Sequence, residues 1–119
     1  MQRCFLGAKL HRMVVTGSDL NYVGSITVDA DILDLSGILP GERVTVADLE
    51  SGSRFETYVI RGERGTGVMR INGAAARLVH PGDRVIVLQW VWAGEDEAPP
   101  DPRVVVADDG NLSPRLLKP

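Results

Sequence analysis

The residues with the clearest chemical potential are Gly24 and Ser25, which are neighbours in the segment Asn21-Tyr22-Val23-Gly24-Ser25. Because glycine has no Cβ atom, its carbonyl group can be held in a strained turn and approached closely. The Ser25 hydroxyl would attack that carbonyl within the same chain and would gain from proximity. The pair is therefore a candidate for self-cleavage, although the same dipeptide is also common in ordinary turns that enter a strand.

Three interpretations of this bond stay open from the residues alone. In the first, the Ser25 hydroxyl converts the Gly24 amide to an ester, and β-elimination leaves a dehydroalanine that hydrolyses to a pyruvoyl group. In the second, self-cleavage makes Ser25 an N-terminal nucleophile for hydrolysis, with a free amine. In the third, the bond stays whole in a non-enzymatic barrel module that binds a protein, a ligand or nucleic acid.

A β-strand is predicted directly after the candidate bond. Residues alternate over 25–29, so that Ile26 and Val28 face one way while Ser25, Thr27 and Asp29 face the other. Ser25 is therefore expected at the start of a strand, on the side away from the apolar residues.

The rest of the chain supplies the elements that must position this strand. Asp29 can cap a short helix that extends to Ser36 and ends at Gly37. Further strands are predicted at 3–15, 42–48, 54–61, 68–71 and 84–92. Loops or turns are predicted at 16–19, at 51–53 and, as a hairpin-like connection, at 62–67, with a helical turn at 72–76.

An internal repeat indicates how the strands are arranged. The segment Pro40-Gly41-Glu42-Arg43-Val44-Thr45-Val46 recurs as Pro81-Gly82-Asp83-Arg84-Val85-Ile86-Val87. Each copy is a turn that leads into a strand, and the pair predicts two halves of a barrel related by a pseudo-two-fold axis. Two independent Pro-Gly turns are the alternative.

Composition narrows the class of protein. The 119 residues are 44% hydrophobic and 24% charged, which is typical of one soluble globular domain. A net charge of -3 weighs against a nucleic-acid partner. The single cysteine, Cys4, cannot form an intramolecular disulfide and is expected to be a small buried hydrophobic residue. No Cys/His cluster has metal-ligand spacing, so no metal is expected.

The two ends of the chain give weaker expectations. Charged residues interrupt the N-terminal segment, and no apolar run reaches the length of a membrane span, so we expect a cytoplasmic protein without a membrane partner. The sequence changes character at Gly94. We expect a catalytic barrel domain at 1–93 and an acidic, Pro-rich segment at 94–119, with one extra strand at 103–107 and fraying over 113–119.

Five segments occur in the order and spacing of one known family. They are 7–12, 21–27, 54–58, 63–65 and 72–76, and the similarity extends from about Arg3 to Ala93, with a weaker trace at 102–111. In these segments the chain resembles the bacterial aspartate 1-decarboxylases, pyruvoyl-dependent lyases that make β-alanine for pantothenate and coenzyme A. The resemblance implies a mainly β fold, a double-psi β-barrel with short helices, and a homotetramer with active sites between subunits.

The resemblance also implies the cofactor. Loss of carbon dioxide from L-aspartate leaves a carbanion at Cα, and no ordinary side chain accepts that electron pair. Autocatalytic cleavage of a zymogen between Gly24 and Ser25 would convert Ser25 to the pyruvoyl group, which binds the substrate amine as a Schiff base. No pyridoxal phosphate is then needed. Cleavage is either spontaneous or assisted by a maturation factor.

Roles for individual residues follow from the same resemblance. Tyr58 is implied as the proton donor to Cα, and a neutral phenol can donate at pH 7. Lys9 and Arg54 are implied as the cations that hold the two substrate carboxylates, without an assignment of which holds which. Thr57 is implied in maturation or substrate contact, but on a regular strand it faces away from Tyr58.

A second predicted cluster begins at Asn72. The small residues Gly73, Ala74 and Ala75 leave their backbone amides accessible, which suits a substrate carboxylate or the oxyanion formed at Gly24. A tight turn into a helix, with alanine chosen for packing, is the alternative.

Two further residues are expected to support the site. Tyr22 could position the scissile carbonyl during maturation. His11 is either a hydrogen-bond donor behind the substrate-binding residues or a strand histidine whose hydrogen bonds are satisfied.

Overall fold

A single mixed sheet dominates the computed structural model, which describes residues 1–117. The strands within those residues are β1 (Gln2–Val14), β2 (Gly17–Asp19), β3 (Ser25–Asp29), β4 (Arg43–Asp48), β5 (Arg54–Gly62), β6 (Met69–Asn72), β7 (Arg84–Gly94), β8 (Arg103–Asp108) and β9 (Leu112–Leu116). The helix α1 (Ala30–Ser36) and two 3-10 helices (Gly73–Leu78 and Asp109–Asn111) connect them. The strand order is β2-β6-β3-β5-β4-β7-β1-β8-β9.

The sheet curls around one aliphatic core. The end of β1 returns to β6, where the Thr16 N–H donates to the Met69 carbonyl (2.9 Å) and the Met69 N–H donates to Thr16 Oγ1 (2.9 Å). The mainly β class with short helices is confirmed, and the arrangement is that of a double-psi β-barrel. Alternation along the strands puts one face inside, and the core consists of Ala8, Leu10, Met13, Val15, Ile26, Val28, Ile32, Leu33, Ile38, Val44, Val46, Val59, Met69, Ile71, Val79, Val85, Val87 and Val105.

The predicted pseudo-two-fold relation appears directly in the register of β4 and β7. These strands are antiparallel, and Val46 lies opposite Val87, which is the equivalent residue of the other copy of the repeat. The turn glycines also match, with φ of 90° at Gly41 and 95° at Gly82. The axis therefore passes between Val46 and Val87.

Hydrogen bonds repeat with the same symmetry. The Val59 N–H donates to the Glu42 carbonyl (3.1 Å), and the Val15 N–H donates to the Asp83 carbonyl (2.9 Å). Because Glu42 and Asp83 are equivalent positions, the two Pro-Gly turns are attached in the same way, one to Val59 inside β5 and the other to Val15 just after β1. The alternative of two unrelated turns does not account for this match.

The helix α1 forms where its caps predicted it. Asp29 accepts a hydrogen bond from the Asp31 N–H through its side chain (2.8 Å), as an N-cap residue does. Gly37 ends the helix in the left-handed conformation (φ 77°), and its N–H donates to the Leu33 carbonyl.

Two loop predictions were wrong. Residues 17–19 of the predicted 16–19 loop form β2, which pairs in parallel with β6. The connection at 62–67 is not a hairpin, because β3 lies between β5 and β6 and pairs with both. The Asp29 carboxylate, at the end of β3, accepts the N–H groups of Gly65 (3.1 Å) and Gly67 (2.8 Å) and so holds this connection across the strand.

The C-terminal segment is more ordered than predicted. β8 pairs in parallel with β1, and β9 pairs antiparallel with β8, so fraying was the wrong expectation for 113–116. The buried Asn111 explains the order, since its amide donates to the carbonyls of Val14 and Gly67 (both 2.8 Å). Residues 118 and 119 lie outside the described residues, and the division of the chain at 93 stays a prediction.

Two smaller observations complete the fold. Cys4 was expected to be buried but is exposed, because it lies on the outer face of β1 opposite Trp92. No helix within residues 1–117 combines the length and the apolar character that crossing a membrane requires.

Candidate active site

The Ser25 hydroxyl is held in a fully buried position at the start of β3. Ser25 is 0% exposed and its backbone pairs with Asn72 on β6. The Asn72 side-chain amide donates to Ser25 Oγ (2.8 Å) and to Thr27 Oγ1 (3.1 Å). The neighbouring strand therefore fixes the position of the candidate nucleophile.

The Asn72 side chain has a second polar atom that is not satisfied. Asn72 precedes the first 3-10 helix but makes no side-chain capping bond, because its amide is turned toward β3. Its Oδ1 atom is buried and receives no hydrogen bond within residues 1–117. A buried acceptor without a partner is costly, which suggests that this atom serves a donor absent from the isolated chain.

Gly73 packs directly against the candidate scissile bond. Gly73 has φ of 73°, and a Cβ atom built on it would lie 2.6 Å from Gly24 Cα and 2.9 Å from Gly24 N. Only glycine fits this close approach. A Cβ built on Gly24 itself would meet nothing within 4 Å, so open space adjoins the bond on its other side.

The Ser25 hydroxyl has no strong hydrogen-bond acceptor within residues 1–117. Its only acceptor within residues 1–117 is the Val23 carbonyl at 3.5 Å, which is a long contact for an O–H donor. Tyr22 and Val23, just before the bond, are both exposed. The hydroxyl is therefore oriented by the Asn72 donor and is not engaged by a strong acceptor.

Tyr58 is the sequence-predicted residue that the sheet brings beside Ser25. β3 and β5 are parallel with Ile26 opposite Val59, so the register extended by one residue puts Ser25 beside Tyr58. Ile26 and Val59 are buried in the core, and alternation directs Ser25 and Tyr58 to the other face. Tyr58 is 39% exposed.

Thr57 and Arg54 occupy different faces of β5. The β4–β5 register is unbroken from Arg43 opposite Tyr58 to Ala47 opposite Arg54, so no bulge turns Thr57 toward Tyr58. Thr57 is partly buried, whereas Arg54 shares the outer face with Tyr58. One chain therefore does not gather all three side chains on one face.

Lys9 lies far from Ser25 along the sheet. It is on β1, opposite Leu88 and Val104, and β7, β4 and β5 separate β1 from β3. Strands are spaced by about 4.8 Å, so four spacings amount to about 19 Å along the sheet surface. A single chain does not bring Lys9 beside Ser25 by this route.

His11 lies at an irregularity of β1. The register with β7 shifts between Leu10 and Met13, and Arg12 has a positive φ of 57°. His11 Nδ1 is buried without a hydrogen bond within residues 1–117. Burial first, and then the charges of Lys9 and Arg12, lower the pKa of His11 below its usual value of 6.5.

The predicted small-residue cluster forms the first turn of the 3-10 helix. Gly73 is buried, Ala74 is exposed and Ala75 packs against the core. Ala74 is thus the most exposed of the three residues.

Thr27 and Asp29 contribute to the site but were not assigned a role from the sequence. Thr27 shares the Asn72 amide with Ser25, and Asp29 holds the connection after β5. Their signal was present, since the alternation in 25–29 put Ser25, Thr27 and Asp29 on one face. Their hydrogen-bond partners are distant in sequence and gave no signal.

Comparison with known proteins identifies the family of the chain. Residues 1–113 match the family model described as aspartate decarboxylase. The chain is also 54% identical, over 112 residues, to the aspartate 1-decarboxylase of Neisseria meningitidis serogroup C, and the match covers 93% of this chain and 88% of that protein. This chain therefore belongs to the aspartate decarboxylase family.

Proposed function

We propose that the chain cuts itself between Gly24 and Ser25 and uses the resulting pyruvoyl group to convert L-aspartate to β-alanine and carbon dioxide. The observation that carries the proposal is the fixed hydroxyl of Ser25, bonded to Asn72 and adjacent to a bond on which Gly73 packs. The product would supply pantothenate synthesis in the cytoplasm.

The cleavage begins with the Ser25 hydroxyl. Its Oγ atom bonds to the Gly24 carbonyl carbon, the peptide C–N bond breaks, and the hydroxyl proton passes to the freed amine. Loss of the Ser25 Cα proton then breaks the Cβ–O bond, which releases Gly24 as a carboxylate and leaves dehydroalanine. Water replaces the nitrogen, ammonia leaves, and a pyruvoyl group remains on the chain that begins at 25.

The residues around Ser25 fit such a group. It supplies a carbonyl that captures the substrate amine and accepts the electron pair released as carbon dioxide leaves. Asn72 Oδ1, buried and without a donor, is suited to bind an N–H group of the substrate. Tyr58, beside Ser25 in the register, would donate the proton that Cα needs after decarboxylation.

The cations for the substrate carboxylates are proposed to come from a site between subunits. Lys9 is about four strand spacings from Ser25, and Thr57 and Tyr58 face opposite sides of β5. A neighbouring copy in a homotetramer could supply Lys9 to the Ser25 site of another chain, with Arg54 beside Tyr58. The separation of Lys9 from Ser25 along the strand order supports the oligomer implied by the resemblance.

An intact mass of denatured, purified protein tests the proposal. We expect fragments 1–24 and 25–119, with the larger one lighter by one ammonia than a chain that begins with serine. A fragment with the full serine mass would instead assign Ser25 as an N-terminal nucleophile. The matched Ser25→Ala protein should remain one inactive chain, and an active Ser25→Ala protein would overturn the mechanism.

An uncut mass has two explanations that a second measurement separates. After incubation with a lysate of the host, a precursor that needs a maturation factor should be cut. A binding module should stay whole and should form no β-alanine from L-aspartate.

A further inference from the structure

Three acidic side chains meet where β4 ends. Asp48 is the last residue of β4, Glu50 lies in the turn that follows, and Asp83 lies in the second Pro-Gly turn. Each offers one carboxylate oxygen, and these atoms lie within 4.8 Å of one another. The group joins the two halves of the barrel, and neither the proposed cleavage nor the proposed decarboxylation uses it.

Backbone hydrogen bonds fix each of these carboxylates. Asp48 Oδ1 accepts two N–H groups of the following turn (2.8 and 3.1 Å). Glu50 Oε2 accepts the Arg84 N–H (2.9 Å), and Asp83 Oδ2 accepts the His80 N–H (3.0 Å). The backbone therefore anchors one oxygen of each group.

The second oxygen of Asp48 has no hydrogen-bond partner that would compensate for its burial. Asp48 is only 2% exposed, and its Oδ2 atom is buried without a hydrogen bond within residues 1–117. The Asp83 carboxyl is within hydrogen-bonding reach, but two ionised carboxylates share no donor.

No basic side chain within residues 1–117 forms a salt bridge with Asp48, Glu50 or Asp83. The nearest guanidinium in sequence, that of Arg84, donates instead to the carbonyl of Arg12 (3.2 Å). Three like charges this close repel each other, so either a cation or a shared proton must lie between them.

We infer that Asp48, Glu50 and Asp83 bind a hard divalent cation of the Mg²⁺, Mn²⁺ or Ca²⁺ class, which joins β4 to the second Pro-Gly turn. The donor set consists only of carboxylate oxygens, which these ions prefer over imidazole or thiolate. Glu50 is exposed, so water can complete the coordination shell. The role is structural, because Tyr58 pairs with Arg43 at the opposite end of β4.

Calorimetric titration of the chelator-treated protein with CaCl₂, MgCl₂ and MnCl₂ tests the site. We expect one cation per chain for at least one metal, together with a higher melting temperature. Glu50→Gln and Asp83→Asn should each raise the dissociation constant of the cation by about tenfold or more, since the charge of the ligands sets the affinity of such sites. Asp101→Asn makes the same change of charge at an exposed position and should leave binding unchanged.

The controls make each outcome decisive. Circular dichroism first verifies that each variant is folded. If none of the three metals gives a heat of binding or a higher melting temperature with the wild-type protein, the site is overturned. Asp48 and Asp83 would then share a proton instead. Equal weakening by Asp101→Asn would also overturn it, because the effect would then be general screening of charge.

Discussion

Gly73 shows how a single residue can control the chemistry proposed for its neighbour. Its left-handed φ and its approach to Gly24 leave no room for a side chain at the start of the 3-10 helix. Asn72, one residue earlier, holds the Ser25 hydroxyl. The geometry at the scissile bond therefore depends on two successive residues, the last one of β6 and the first one of the 3-10 helix.

Gly73→Ala should block cleavage. The added Cβ would lie 2.6 Å from Gly24 Cα, so the segment before Ser25 must shift. We expect at least a tenfold slower appearance of fragments 1–24 and 25–119, or about 1.4 kcal/mol in the barrier. Mass spectrometry of fresh protein against time measures this rate.

Gly52→Ala is the matched control for that variant. Gly52 also has a positive φ of 77°, but its Cβ would meet nothing within 4 Å. It carries the same kind of backbone strain without the contact to Gly24. If both variants slow cleavage equally, the contact with Gly24 has no special role.

His11 should make the free energy of unfolding decrease at acidic pH. Its pKa is lowered in the folded chain, so the unfolded chain binds more protons once the pH falls below about 6.5. The stability that His11 contributes is present above that pH and is lost as the pH falls through the folded-state pKa. We expect the urea midpoint to fall less between pH 7.5 and pH 5 in His11→Gln than in wild type.

His80→Gln provides the control for this measurement, because His80 is exposed. An equally large change of the acid dependence in His80→Gln would mean that the effect does not depend on the position of His11. If His11→Gln and wild type lose the same stability on the acid side, the lowered pKa of His11 has no effect on folding.

At the scale of elements, β5 is the strand that relates the site to the sheet. It pairs with β3 on one side and with β4 on the other, and its unbroken register determines which residues share a face with Ser25. Tyr58 and Arg54 share the outer face, whereas Thr57 does not.

Tyr58→Phe should leave cleavage intact and slow the formation of β-alanine. The aromatic ring stays in the sheet, so cleavage at Gly24 should proceed, whereas loss of the proposed proton donor should slow β-alanine formation about 10²- to 10⁴-fold. Fragment masses and a β-alanine assay on the same preparation measure both effects. Undiminished turnover would remove Tyr58 from the role of proton donor.

The elements that the sequence predicted best are those with local signals. Alternation predicted β3, an Asp and a Gly predicted both ends of α1, and the Pro-Gly repeat predicted the symmetry of β4 and β7. A glycine-rich loop such as 62–67 looks like a hairpin locally. It crosses β3 because β3 pairs with both β5 and β6, and the Asp29 side chain holds the loop there. Strand pairing is decided by such distant contacts.

The same limit applies to the sites. The resemblance identified Asn72, but its bond to Ser25 spans strands that are distant in sequence. A search for Cys/His spacing also had no means of finding Asp48, Glu50 and Asp83, because these are carboxylates that the pairing of β4 with β7 brings together. Contacts made by tertiary structure leave no periodic trace in the sequence.

At the scale of the whole molecule, we expect the proposed active site to combine residues of more than one chain. Lys9 and Ser25 are separated along the sheet, and closed symmetry would let each copy offer Lys9 to a neighbour. The site should then be assembled by residues that no single protomer brings together.

Mixed oligomers test this arrangement. Lys9→Ala and Tyr58→Phe proteins should each be nearly inactive, but random co-assembly after co-expression should restore up to about a quarter of wild-type activity, since that share of sites receives both native residues. Activity per site in doubly tagged oligomers measures the recovery. If mixed oligomers form but regain no activity, Lys9 and Tyr58 serve the same site from one chain.

The position of β1 affects how the cleaved protein would recover from unfolding. β1 belongs to residues 1–24 and lies inside the sheet, between β7 and β8, so a cut before Ser25 would not release it. The cut would nevertheless end the covalent link between β1 and its neighbours. An uncut chain that unfolds can refold alone, whereas the two pieces of a cut one must first find each other in solution. Recovery from denaturation would then depend on protein concentration, and each round of unfolding would carry a risk of permanent loss.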